Sequence, residues 1–381
     1  MKIALIGQKG IPATIGGVER HTEELAVKLA ERGHEVFAYV RNNYTDKNLK
    51  EYMGVKLIHL PSIPTKNLDA ISHTFLATIH AIFQNYDIIQ YHSIGPTSLS
   101  IIAKIFKRKT PIVSIYQCQD YFHQKWGSLA RNYLKFGEWV TCRIPDKTIA
   151  VTKILSDFAK KAYNRDTVII PNGTNAVKTL RAEELSQWEL EKNKYILAVS
   201  RLFRHKGIHY LIQSFKDLED KKLTKNMKLV IVGDGAHTHD YVKYIKKLAA
   251  GRKNIVFTGT QTGKTLQQLF SNAYAFVQPS ETEGLSISLI EAMAYGRAIL
   301  ISNIAENIEA VQNSAPTFIS KDINDLAEKL AYLINNHELA NDLGETLTKI
   351  AKDRYNWNTI ADQFESVYHD VILRKNHKLC D

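Results

Sequence analysis

Lys2-Ile3-Ala4-Leu5-Ile6-Gly7-Gln8-Lys9-Gly10-Ile11-Pro12-Ala13-Thr14-Ile15-Gly16-Gly17 opens the chain, and its reading decides the fold. Lys2 to Ile6 is a compact β-rich run, and the glycine-bearing segment behind it is a loop. Val18, Thr22, Leu25, Ala26, Leu29 and Ala30 then recur at helical spacing, Gly33 is placed to cap that helix, and Val36 to Val40 starts a second strand. One β-α-β unit is therefore complete by Val40.

Moving outward, strands are predicted at Lys56 to Leu60, Ile88 to Tyr91, Ile112 to Tyr116, Thr148 to Val151 and Val168 to Ile170. Strands alternating with helical patterns argue for a parallel sheet covered on both faces. After Pro171-Asn172-Gly173, a polar stretch through Lys194 reads as a connection between domains. The rhythm resumes at Tyr195 to Val199, Leu229 to Val232, Ile255 to Phe257, Ala275 to Val277 and Ala298 to Ser302. Two α/β domains, 1–172 and 194–355, are the expectation, and 381 residues suit two cores better than one. In the remaining segment, 356–381, Ile360, Phe364, Val367, Tyr368 and Val371 share one helical face, so an amphipathic helix is expected to pack back on the N-terminal domain.

Composition removes several function classes. A hydrophobic share of 44% with 23% charged residues is ordinary for a folded soluble chain. Cys118, Cys142 and Cys380 have neither disulfide-framework nor zinc-ligand spacing, which fits a reducing cytosol. No run approaches the roughly 18 apolar residues of a membrane span. The net charge of +11 attracts polyanions, but no helix-turn-helix or RNA-binding aromatic signature accompanies it, so nucleic acid is not the expected partner.

The segment richest in chemistry is Pro279-Ser280-Glu281-Thr282-Glu283-Gly284-Leu285-Ser286, which follows a strand and starts a helix near Ser286 that closes at Gly296. Ligands of open α/β sheets bind beyond the carboxyl ends of the strands, where helix N-termini offer unpaired N–H groups. Glu283 precedes the first turn and Glu291 lies on the helix body, up to ~12 Å apart at the helical rise, about the length of a sugar diphosphate. A carboxylate accepts two hydrogen bonds in the geometry of a vicinal diol, so the two acids suit sugar and ribose hydroxyls, while the N–H groups of Leu285 and Ser286 face a phosphate or sugar oxygen. Ser200-Arg201-Leu202-Phe203-Arg204-His205-Lys206-Gly207 follows the first strand of the second domain, where Arg201 and Lys206 would neutralise a diphosphate leaving group. Gly16-Gly17 ahead of the first helix lets backbone approach a ligand closely. Gly7, Gly10, Gly16 and Gly17 do not form the dinucleotide fingerprint, which argues against a dehydrogenase.

Taken in order, these segments resemble the family 4 retaining glycosyltransferases of the GT-B fold: two Rossmann-like domains with a deep interdomain cleft. The resemblance rests on Gly16-Gly17-Val18-Glu19-Arg20, on Ser200 to Gly207, on the Val-Gly-Asp-Gly turn at Val232 to Gly235, and on Glu283 and Glu291 with seven residues between. It implies that Arg201 and Lys206 bind the donor diphosphate, that Gly16, Gly17 and Gly284 lie against the donor, that Glu283 contacts the transferred sugar and Glu291 the ribose, and that the loop from Val256 through Gly259 to Thr260 meets the base. It also implies transfer with retained anomeric configuration, no cofactor and no divalent metal. A ribose-binding Glu291 leans toward UDP or GDP donors over a deoxynucleotide. Gly10-Ile11-Pro12-Ala13 and Gln124-Lys125-Trp126-Gly127 look like the bacterial subgroup that builds surface polysaccharides, often rhamnosyltransferases, with a glycan or lipid-linked acceptor.

The chain departs from the family after the strand Ile112 to Tyr116, where a histidine element usually touches the donor sugar and this sequence reads Gln117-Cys118-Gln119-Asp120-Tyr121. Glutamine hydrogen-bonds but does not titrate near neutral pH. Gln117 therefore leaves open a nucleotide-sugar-binding protein with weak or no transfer, and a same-fold epimerase is a separate alternative. Asp120, His92 and His123 lie near Gln117 in sequence. Basic residues at Lys104, Lys107, Arg108 and Lys109, and at Lys125, Arg131 and Lys135 beside Trp126, Leu129, Tyr133 and Phe136, suit peripheral contact with an anionic membrane, here the inner face of the cell membrane.

Overall fold

A computed structural model describes residues 1–14, 16–65, 67–122, 126–235 and 238–380, the side chains of 378–380 excepted. His123, Gln124 and Lys125, named above, lie outside the described residues, as does Ile15 of the opening loop. The chain forms two compact units, Met1–Asn172 with Trp357–Asp381, and Gly173–Asn356.

The first unit is built on β1 (Lys2–Ile6), β2 (Glu35–Arg41), β3 (Glu51–Tyr52), β4 (Val55–Leu60), β5 (Ile88–His92), β6 (Ile112–Tyr116), β7 (Lys147–Ala150) and β8 (Val168–Ile169). They lie in the order β3-β4-β2-β1-β5-β6-β7-β8, every pairing parallel except the two-residue edge strand β3. The order reverses between β1 and β5, whose pairing sets Ile3 opposite Ile88. The first helix, Gly17–Glu31, ends as its sequence predicts, with Gly33 at φ +83° donating its N–H to Ala30 O. The amphipathic last helix, Trp357–Cys380, belongs to this unit. Ile360, Phe364, Val367, Tyr368 and Val371 are all buried, and Tyr368 Oη donates to Gln90 Oε1 at 2.6 Å inside the core. Arg32, the residue that ends the first helix, pairs with Asp362 at 2.6 Å and with Glu365, which fixes the last helix's register against it.

The second unit repeats the architecture with β9 (Tyr195–Val199), β10 (Lys228–Val232), β11 (Ile255–Gly259), β12 (Ala275–Gln278), β13 (Ala298–Ser302) and β14 (Thr317–Phe318). Their order is β11-β10-β9-β12-β13-β14, all parallel, so this sheet reverses between β9 and β12. Buried Leu229, Ile231, Val277 and Leu300 pack with Phe215 and Leu211 of the helix Ile208–Asp220 beneath it. The strands that sequence reading passes over, β3 and β14, are two residues long, too short to carry a period.

The polar stretch expected to connect the domains is part of the second unit, which begins at Gly173 and not at residue 194. Thr179 N donates to Ser271 Oγ at 3.1 Å, Glu184 N to Gln268 Oε1 at 2.9 Å, and Asn272 Nδ2 to Arg181 O at 2.8 Å. Leu185 and Leu190 are buried among otherwise polar residues. Two apolar anchors and side chains reaching from a distant helix suffice to seat a segment whose own composition resembles a linker.

Candidate active site

In each sheet the reversal of strand order leaves a crevice at the carboxyl ends of two adjacent strands. In the second unit these are β9 and β12, and the loops that leave them carry the Ser200–Gly207 and Pro279–Ser286 motifs. Two glycines bring the backbones together. Gly207, at φ +69°, stands where an added Cβ would lie 1.8 Å from Pro279 O, and Gly233, at φ +127°, where it would lie 1.9 Å from Ser200 O. The contact at Gly207 is reinforced by Glu281 N donating to His205 O at 2.7 Å. On the other side Leu202 N donates to Asp234 O at 2.9 Å, so the Val232–Gly235 turn braces the basic loop.

The result is a buried ion pair. Lys206 Nζ donates to Glu283 Oε1 at 2.6 Å and to Oε2 at 2.7 Å, and Ser280 Oγ donates to Oε1 at 2.6 Å. The Glu283 side chain is only 7% exposed and that of Lys206 17%. Arg201 lies with its guanidinium 4.9 Å over the Phe203 ring, and among the described residues no carboxylate pairs with it. Ser200, Lys206, Gln278, Ser280, Glu283 and Ser288 line one small cavity. Glu291, expected on a helix body, is on the helix Ile287–Ala294 and is buried, so it is not a solvated surface acid. Ser286 caps that helix, its Oγ accepting from Leu289 N.

Sequence reading missed the network that holds Glu283 in place. Ser286 Oγ donates to Gln278 Oε1 at 2.9 Å, Gln278 Nε2 to Asn307 Oδ1 at 2.9 Å, Asn307 Nδ2 to Ser302 Oγ at 3.0 Å, and Ser302 Oγ to Ser280 O at 2.6 Å. Gln278, Ser280, Ser302 and Asn307 are all buried. Ordinary strand residues are apolar, so a Gln at the end of β12 was the available signal. Replacing Asn307 by Ala strands Gln278 Nε2 in the interior and should lower stability by about 1–3 kcal/mol. Urea unfolding checks this; an unchanged midpoint would remove the network from the account.

Val256 sits inside β11 opposite Val230, within the strand expected at Ile255 to Phe257, and Gly259, at φ +71°, closes that strand at the ligand-binding edge.

The first unit's crevice lies between β1 and β5, where Gly7 packs against His92 O so closely that an added Cβ would be 2.6 Å away. Gly16, at φ +111°, is covered by the Glu19 carboxylate, 2.1 Å from an added Cβ, and Glu23 accepts from Ala13 N. Glu23 thereby ties the loop ahead of the first helix to that helix. His92 is buried and held far below its ordinary pKa by desolvation and then by His21; its Nδ1 lies 3.2 Å from Thr22 Oγ1 and its Nε2 3.1 Å from Gln90 Nε2. Both ring nitrogens thus face the protein, which removes His92 from the candidates. Gln117 follows β6, is 94% buried by its 6% exposure, and its Nε2 has no partner among the described residues. Asp120 lies in the short turn Asp120–Phe122, with Cys118 Sγ donating to its Oδ1 at 3.1 Å. The loop is anchored by Glu138, a buried carboxylate that accepts from Tyr116, from Tyr121 at 3.2 Å, from Tyr163 at 2.7 Å and from Gln119 Nε2 at 3.1 Å.

Residues 15–178 match Glycosyltransferase Family 4 and residues 181–350 match Glycosyl transferases group 1. An uncharacterized glycosyltransferase of Methanocaldococcus jannaschii is 25% identical over 97% of this chain and 98% of its own. The alpha-monoglucosyldiacylglycerol synthase of Streptococcus pneumoniae is 26% identical over 79% of this chain and 70% of its own. Among solved structures, Anabaena Alr3699/HepE in complex with UDP and glucose shares the fold at TM-score 0.81 and 20% identity, over 97% of this chain and 100% of that one. The fold is the GT-B fold. The chain belongs to glycosyltransferase family 4 and is a transferase. Nothing in these matches singles out the rhamnosyltransferases.

Proposed function

We propose that this enzyme moves a hexose-type sugar from a nucleoside diphosphate donor, UDP- or GDP-linked, to a glycan or lipid-linked acceptor at an anionic membrane face, with retention of anomeric configuration and without a divalent metal. The observation that carries the proposal is the Lys206–Glu283–Ser280 cluster at the crevice between β9 and β12, with Arg201 unpaired beside the same loop. An ammonium has three N–H bonds, and Glu283 takes two of them, so Lys206 keeps one for a phosphate oxygen without releasing its carboxylate. Arg201 adds a planar, permanently charged fork for the same diphosphate. Together they offset the charge that grows on the departing phosphate, the task a metal ion serves elsewhere.

Glu283 receives the sugar hydroxyls, Glu291 the ribose diol, and the N–H groups along Gly284, Leu285 and Ser286 the phosphate or sugar oxygens. Gly259 opens the end of β11 to the base. In the first unit Gly16 and Gly17 let backbone approach the donor, Gln117 Nε2 donates to the sugar, and Asp120 lies on the same loop. The acceptor hydroxyl oxygen bonds to the anomeric carbon on the face that the phosphate leaves; the bond from that carbon to the phosphate oxygen breaks, and the hydroxyl proton passes to that oxygen. Support for a nucleotide donor and a lipid acceptor comes also from the relatives, one solved with UDP and glucose and one named for making a glucosyldiacylglycerol.

A donor panel of UDP- and GDP-sugars, followed by proton NMR of the product or of the hydrolysed sugar, tests this reading. The expected result is an anomer like that of the donor, formed equally well in EDTA. An inverted product overturns retention, and loss of turnover in EDTA overturns metal independence.

A further inference from the structure

The two basic clusters near β6 differ in what their side chains are doing. Lys104 pairs with Asp146 at 2.7 Å, and Lys107 Nζ donates to Gln84 O at 2.6 Å, so two cations of the first cluster have internal partners. The helix Ser128–Arg143 is arranged otherwise. Its inner side is seated tightly: an added Cβ on Gly137 would lie 2.3 Å from Ile94 O, and Leu134, Glu138, Val140 and Cys142 are buried. Its orientation is therefore rigid, and what points outward does so by construction.

The outward face carries Leu129, 86% exposed, with Phe136 and Trp139 at 46% and 43%. The last two rings stack at 6.0 Å with an interplanar angle of 18°. Arg131, Lys135 and Arg143 flank them, and among the described residues none of the three makes an ion pair. The helix's single acid, Glu138, is buried on the other side. Lys135 Nζ lies 5.9 Å over the Tyr121 ring. Three exposed apolar groups framed by three cations free of carboxylate partners, with no acid of this helix on that face, complement a surface that is negative at its headgroups and apolar just beneath. Exposed rings set among cations match a surface whose apolar layer lies just beneath its negative charges. Among the described residues no helix is long and apolar enough to cross a membrane, so any attachment is lateral.

We propose that the outer face of the helix Ser128–Arg143 docks the enzyme onto anionic phospholipid headgroups, with Trp139 and Phe136 entering the interface. The transfer reading supplies only the use of this attachment, access to a lipid-linked acceptor; the docking itself stands on the helix.

Cosedimentation of the full chain with phosphatidylcholine vesicles, with and without about a third phosphatidylglycerol, reads the docking. Binding is expected at least ~10-fold tighter to the anionic vesicles and to fall with salt. Arg131→Glu/Lys135→Glu/Arg143→Glu should abolish it, Phe136→Ser/Trp139→Ser should weaken it by ~10-fold or more, and Trp139→Phe should remove the emission shift on binding. Donor hydrolysis in solution should be unchanged in all three, which also shows that they fold. Absence of binding by the parent chain, or triple-variant binding equal to it, overturns the proposal. So does a face whose variants dissolve a self-associated state while vesicle binding persists. Because sedimentation needs no turnover, docking without transfer, or transfer without docking, tells the two readings apart.

Discussion

Lys206→Ala is expected to lower kcat for sugar transfer by about 10²–10³-fold, the effect of deleting one preorganised donor aimed at a developing charge. The substitution should also reach stability. Glu283 is held by Lys206 and Ser280, and its side chain is 7% exposed. Removing the ammonium leaves a buried carboxylate with one hydroxyl partner, a change of about 3 kcal/mol when a buried pair is broken from one side. Lys206→Ala/Glu283→Ala should therefore be more stable than Lys206→Ala alone while being at least as inactive, because the double variant no longer buries an uncompensated charge. Steady-state kinetics and urea unfolding of both variants read the two effects separately. Turnover of Lys206→Ala within about threefold of the parent enzyme would remove Lys206 from the machinery.

The second large effect is on acid stability. His21, His73 and His209 are all held down at about 4, chiefly by burial, and His92 lies well below its usual value for the same reason. A histidine whose folded pKa is depressed leaves the unfolded chain binding more protons once the pH drops below about 6.5, so stability is complete above that point and is lost toward pH 4. Each such histidine contributes a slope of up to about 1.4 kcal/mol per pH unit across this window. His21, His73 and His92 are in the first unit and His209 in the second, so the first unit should be the more acid-sensitive, with a slope approaching about 4 kcal/mol per pH unit. Trp126, Trp139 and Trp357 report on the first unit and Trp188 on the second, so fluorescence-detected urea midpoints at pH 7.5, 6, 5 and 4.5 weight the unit in question. Midpoints that stay level through pH 5 would sink the prediction. A His73→Gln variant that steepens the decline, when it should flatten it, would sink it equally.

Much of the site is legible in the sequence alone. The strand that ends at Val199, the helix start at Ser286 and its close at Gly296 follow from local pattern and turn chemistry, and each is where its residues suggest. The ordered motifs led to the correct family for the same reason: each is a run of neighbours. The stretch after Asn172 was misread because its anchors, Ser271, Gln268 and Asn272, are supplied by another helix.

By itself, then, the sequence determined the two-fold repetition of the α/β rhythm and the ends of the helices, since periodicity and capping depend on residues a few positions apart, and its ordered motifs carried the family resemblance that implied the class of reaction. Only the tertiary structure decided that Lys206 meets Glu283 across 77 positions, that Gln278, Asn307 and Ser302 hold the acid loop, that Glu138 serves three tyrosines, and that Trp139 and Arg143 stay exposed. Those pairings depend on which strands become neighbours and which face of a helix the sheet covers, and neither quantity is written in any local run of residues.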